Sequence, residues 1–108
     1  MTETRPPSDE AKDGGDDRPS DLQLTVKIFD EETLTEYSVI SPASSTVGHV
    51  VAAFYREDLR RERDPEDRLW CTANGDSVFA HETEELASYA RRTCRELSWT
   101  FVGPTGGA

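Results

Sequence analysis

Lysine is nearly missing from this chain of 108 residues: Lys12 and Lys27 are the only two, and the other ten of its twelve basic residues are arginine. Basic charge as a whole is scarce. Twelve basic against twenty-two acidic residues leave a net charge of −10. Binding to a phosphate backbone needs clustered Lys and Arg, so the balance argues against a nucleic-acid partner. It argues equally against docking on an anionic membrane. No apolar run approaches the roughly 20 residues of a membrane span. Residues 1–21 also lack the apolar stretch of a signal peptide. A cytoplasmic protein is expected. Cysteine is sparse, with only Cys71 and Cys94, and that compartment implies reduced thiols. Hydrophobic residues make up 34%, below the roughly 45–50% usual for a globular domain, so part of the chain is not expected to fold. The length fits one small domain.

The charge distribution locates the boundary. Residues 1–21 hold seven acids (Glu3, Asp9, Glu10, Asp13, Asp16, Asp17, Asp21) against Arg5, Lys12 and Arg18, a net −4. Two further residue types, Pro and Gly, punctuate this segment, and Met1 and Ala11 are its only apolar residues. It cannot bury enough surface to offset the entropy of ordering, so a disordered acidic leader is expected. Residues 22–102 read as the folded body and 103–108 as a flexible tail.

Within the body, Leu22, Leu24, Val26 and Ile28 alternate with polar positions, the period of a half-buried strand. Asp30-Glu31-Glu32 leaves room only for a tight turn. The β-rich run Thr33 to Ile40 then predicts an antiparallel hairpin, with a bulge near Glu36 where the alternation slips. Thr46 stands where an N-cap belongs. Val47, Val50, Val51 and Phe54 follow at helical spacing, predicting a helix from Val47 to about Arg61 that Pro65 cannot continue. Its arginines alternate with acids, as on a solvated face. Arg68 to Thr72 predicts a third strand, Asn74-Gly75 a turn, Val78-Phe79 a very short fourth strand, and His81 to Ala90 a brief helical segment. Leu97 to Val102 predicts the last strand. The sum is an α+β roll, a mixed sheet of four or five strands with one main helix across it. Trp99, Phe101, Phe54, Leu69 and Tyr89 are its expected core.

The order of these elements, with several residues in them, resembles ubiquitin. Leu22-Gln23-Leu24-Thr25-Val26-Lys27 is similar to that family's first strand. Ser41-Pro42 and Thr46-Val47, with Val50 and Phe54 behind them, resemble its helix cap and face. Arg68-Leu69-Trp70 resembles its third strand, and Glu85-Leu86-Ala87-Ser88-Tyr89 its late turn. Leu97 to Val102 resembles its last strand and Gly106-Gly107 its terminal diglycine. The acidic leader is similar to that of the small ubiquitin-like modifiers. The basic stretch that precedes the family's diglycine is absent; Val102-Gly103-Pro104-Thr105 stands in its place.

The resemblance implies a β-grasp fold and a protein modifier. Gly107 would be the reactive carboxyl, with Gly106 beside it because residues without Cβ pass a narrow activating channel. Ala108 blocks that carboxyl, so a processing protease, for which a metalloprotease is one candidate class, would cleave between Gly107 and Ala108. An adenylating enzyme would consume ATP, a thiol-carrying enzyme would transfer the chain, and an amine on a target protein would receive it. The chain itself would be a monomer, hold no cofactor and catalyse nothing. A sulfur carrier with a terminal thiocarboxylate and an interaction module that is never conjugated stand as alternatives. With so few lysines, single attachment is the simpler expectation; a GC-rich or salt-adapted genome accounts for the arginine equally well and points to a prokaryotic source.

Trp70 matches the central apolar residue of the family's partner-binding patch, with Thr100 its expected neighbour across the sheet and Arg68 two positions away on the same face. The alternative is that Trp70 packs under residues 81–95 as core. Cys71, Cys94, His49 and His81 do not have zinc-ligand spacing, and no calcium loop or phosphate loop is present. No metal site and no catalytic residue is expected.

Overall fold

The computed structural model describes residues 22–104. Its framework is a small α+β fold, a four-stranded mixed sheet with two α-helices. The first strand, β1 (Gln23–Asp30), pairs antiparallel with β2 (Thr35–Pro42). The register is continuous from Gln23 opposite Pro42 to Asp30 opposite Thr35. No bulge interrupts it at Glu36. The alternation slips there because Leu34 belongs to the turn, at a φ of 58° and 75% exposed. Asp30 sets that turn by accepting the Glu32 amide on its carboxylate at 2.9 Å, an arrangement that Asp makes readily.

Helix α1 (Val47–Ala53) starts at Thr46, whose hydroxyl accepts the His49 amide at 3.1 Å. The sequence predicts one α-helix to about Arg61. Instead the backbone widens into a π-helical stretch, Phe54–Leu59, and ends at Arg60 with φ 58°. The wider turn lets two consecutive aromatics, Phe54 and Tyr55, both face inward; they are 0% and 6% exposed. Phe54 and Tyr55 each meet the Phe101 ring edge-on.

Strand β3 (Arg68–Cys71) leads into the Asn74-Gly75 turn, where Gly75 takes a φ of 78°. The chain returns toward β3 only for a single bridge, Ser77 opposite Trp70. Residues 78–79 are therefore not a strand. Val78–His81 is a 3₁₀ turn that drives Val78 fully into the core. Helix α2 (Leu86–Arg92) buries Leu86 and Tyr89, and β4 (Ser98–Val102) closes the sheet. The strand order is β2-β1-β4-β3, so β1 and β4 are central and parallel. All five expected core residues are 2% exposed or less. No helix among the described residues is long and apolar enough to cross a membrane.

Cys71 and Cys94 are not free thiols. They form a disulfide, with Cα atoms 5.8 Å apart, that ties the end of β3 to the segment after α2. Both are 1% exposed or less. The expectation of reduced thiols rested on the expected compartment, and a sequence separation of 23 gave no local sign that the fold brings the two cysteines together.

Candidate functional site

Two features converge at one end of the sheet: its outer face, and the point where the chain leaves β4. On the face, side chains alternate. Leu69 and Cys71 point into the core, while Arg68 and Trp70 point away from it. Trp70 lies opposite Thr100, and Thr100 lies opposite Phe29. These three make a row across β3, β4 and β1. Trp70 is half-buried, so it is neither the core residue nor the freely exposed anchor that the sequence left open. The Arg68 guanidinium lies 5.8 Å from its ring centroid. Thr100 is itself buried, its hydroxyl 2.7 Å from that of Thr72. Phe29, 37% exposed, is the neighbour that sequence reasoning missed; its place in an alternating strand opposite the core face was the available signal.

The second feature is the root of the tail. Arg61 donates to both carboxylate oxygens of Asp67, Nη1 to Oδ2 and Nη2 to Oδ1, each at 3.1 Å. Tyr55 Oη donates to Asp67 at 2.8 Å, and the Asp64 amide does so at 2.8 Å. Burial by itself would raise the Asp67 carboxyl. The bonds from Arg61, Asp64 and Tyr55 outweigh it and hold that carboxyl below the usual range. Burial, and then the bond to Asp67, push the Tyr55 phenol up. The Arg61 guanidinium also sits 5.7 Å from the centroids of both Tyr55 and Phe101.

Gly103 rests directly on this clasp. A Cβ there would lie 3.0 Å from Glu32 Oε1, 3.4 Å from Arg61 Nη2 and 3.8 Å from Asp67 Oδ1. Gly103 is buried, so the chain past β4 stays packed for one residue more than the sequence suggests; Pro104 is exposed. Gly106, Gly107 and Ala108 lie outside the described residues, as does the leader, residues 1–21.

The histidines do not join either feature. His49 stands in the first turn of α1. His81 bonds to Glu84 through Nδ1 at 2.7 Å and to Asp76 through Nε2 at 3.3 Å. The Glu84 bond, against the opposing effect of burial, raises its pKa. Among the described residues, no three His, Cys, Asp or Glu side chains converge as a metal would require. No protein-family model matches the chain, and no curated protein matches it.

Proposed function

We propose that the chain is a ubiquitin-like modifier with a β-grasp body, processed after Gly107 and conjugated through that residue to amines on target proteins. The observation that carries the reading is the course of β4. It is a central strand, parallel to β1, that ends at Val102; Gly103 after it is buried on the clasp and Pro104 is exposed. Gly106-Gly107-Ala108 follows at once in the sequence. A rigid exit with a side-chain-poor end suits entry into a narrow enzyme channel.

The chemistry would proceed on partner enzymes. A protease adds water across the Gly107–Ala108 bond and releases alanine. The freed Gly107 carboxylate attacks the α-phosphorus of ATP and expels pyrophosphate. A partner's thiolate displaces AMP, and a target amine then displaces the thiol. All of this is expected in the cytoplasm, on a monomer that carries no cofactor of its own.

A second reading, an interaction module that is never conjugated, is favoured by the row of Phe29, Thr100 and Trp70, since that surface needs no tail. Mass spectrometry of the protein expressed with its native neighbours separates the readings. Loss of Ala108 with target adducts ending in Gly107 supports conjugation. An intact C-terminus with no adducts overturns it. Replacement of one Gly107 carboxyl oxygen by sulfur identifies a sulfur carrier instead.

A further inference from the structure

An open groove of about 730 Å³ runs along α1 and its π-helical continuation, on the side facing Glu82. Gly48, Val51 and Tyr55 contribute to its floor, and Arg56, Arg60, Arg61 and Arg63 to its walls. Four of the chain's ten arginines therefore surround one concavity in a protein of net charge −10. Glu62 and Glu82 also line it. Arg63 pairs with Glu82, Arg61 with Asp67, and Arg56 with Glu57 across an exposed contact. One carboxylate does not exhaust a guanidinium, which carries five donors. The Arg56 and Arg63 side chains remain 64% and 41% exposed.

We propose that the acidic leader docks in this groove, through Asp13, Asp16 and Asp17. Charge and reach both point to this occupant. The leader carries −4, and these three acids lie close together in it. A free acidic partner would meet a body of net charge −6 and be repelled at long range. A tethered segment meets the same field at an effective concentration in the millimolar range.

The geometry permits the contact. The leader joins the body at Leu22, whose carbonyl accepts the Ala43 amide at 2.7 Å, beside the turn into α1. The groove begins at Gly48, in the first turn of that helix. From there to Arg60 the helix spans about 20 Å. Asp17 stands five residues before Leu22 and Asp13 nine, reaches of about 17 and 30 Å when extended. Both reaches are of the order of the groove's length. Arg61 belongs both to the groove and to the root of the tail, so a docked leader lies beside the exit of the tail. Docking itself does not rest on the tail's chemistry.

The test uses the full chain, with nitrogen-15 amide and arginine Nε spectra of the wild type and of a variant carrying Asp13→Asn, Asp16→Asn and Asp17→Asn. At about 20 mM salt the two spectra should differ at Gly48, Ala52, Arg56 and Arg60, and the difference should collapse at about 500 mM, where screening is short-ranged. Arg60→Glu should remove the corresponding shifts from the Asp13–Asp17 amides. Coincident groove signals at low salt overturn the proposal, as do differences confined to other surfaces. Shifts that fade on tenfold dilution overturn it too, because the contact would then be with a second copy.

Discussion

Arg61 holds Asp67 by a two-pronged contact, both bonds 3.1 Å, and the Nη2 that makes one of them also borders Gly103. The first residue past the sheet is therefore seated on the most densely hydrogen-bonded side chain of the described structure. Asp67 accepts four hydrogen bonds while its side chain is 0% exposed.

Asp67→Asn should cost about 3 kcal/mol, since it removes the charge opposite Arg61 and puts an NH2 in place of one of the two buried oxygens that accept from Arg61, Tyr55 and Asp64. The depressed Asp67 carboxyl also sets a pH dependence. Its contribution is present above the ordinary value of 3.8 and is lost as pH falls through the lower folded value. Urea unfolding from neutral pH into the acid range should show wild type and variant converging at the acid end. A gap that stays constant throughout would argue that the charge of Asp67 plays no part.

Gly103→Ala should cost only about 0.5–1 kcal/mol, because its new Cβ meets the far ends of Glu32 and Arg61 rather than backbone. The tighter neighbour, Glu32 Oε1 at 3.0 Å, ends a flexible side chain and can shift, whereas Arg61 at 3.4 Å is held in place by Asp67. In an Asp67→Asn background the same substitution should be close to neutral. A double-mutant cycle by chemical denaturation measures that coupling; strict additivity would mean that the clasp does not confine the tail.

The disulfide closes a loop with a sequence separation of 23. Cys71→Ser with Cys94→Ser should destabilise by about 3 kcal/mol. Both sulfurs are spent in the bond, so the protein unfolded in denaturant without reductant should react with no thiol reagent. Labelling of two thiols under those conditions would show that the pair is reduced in solution.

His81 should stabilise the fold more at low pH than at high pH. Glu84 and Asp76 face the ring as acceptors, and Tyr89 packs against it. Its folded pKa is raised above 6.5. The stabilisation is complete below that value and is lost as pH rises through the folded pKa. His81→Gln should therefore lower Tm more at about pH 5.5 than at about pH 9. An equal loss at both would leave only the packing on Tyr89.

Much of the fold was legible because it follows from local pattern. Alternation in Leu24, Val26 and Ile28, the spacing of Val47, Val50, Val51 and Phe54, and the Asn74-Gly75 turn each reflect a backbone period or a dihedral requirement within a few residues. The errors fell where neighbours in space overrode that pattern. Tyr55 turns inward to reach Asp67 and Phe101, and the helix widens to allow it. Val78 leaves the strand path because the core needs it. Leu34 gives up its place in β2 to the turn.

The site divides the same way. Trp70, with Thr100 and Arg68 around it, was named from the resemblance, and the outward place of Phe29 could have been read from alternation, whereas Arg61 and Asp67 had no such signal. Forty-one positions separate Phe29 from Trp70 in the sequence, and only the parallel pairing of β1 with β4 brings Phe29 beside Thr100 and into one row with Trp70. By itself the sequence determined the acidic leader, the α+β composition, the core residues and the glycine-rich end, since each depends on composition or short periods. Only the tertiary structure decided that Cys71 meets Cys94, that four arginines enclose one groove, and that Gly103 sits on the Arg61–Asp67 clasp. Those are contacts between distant segments, and no local period records them.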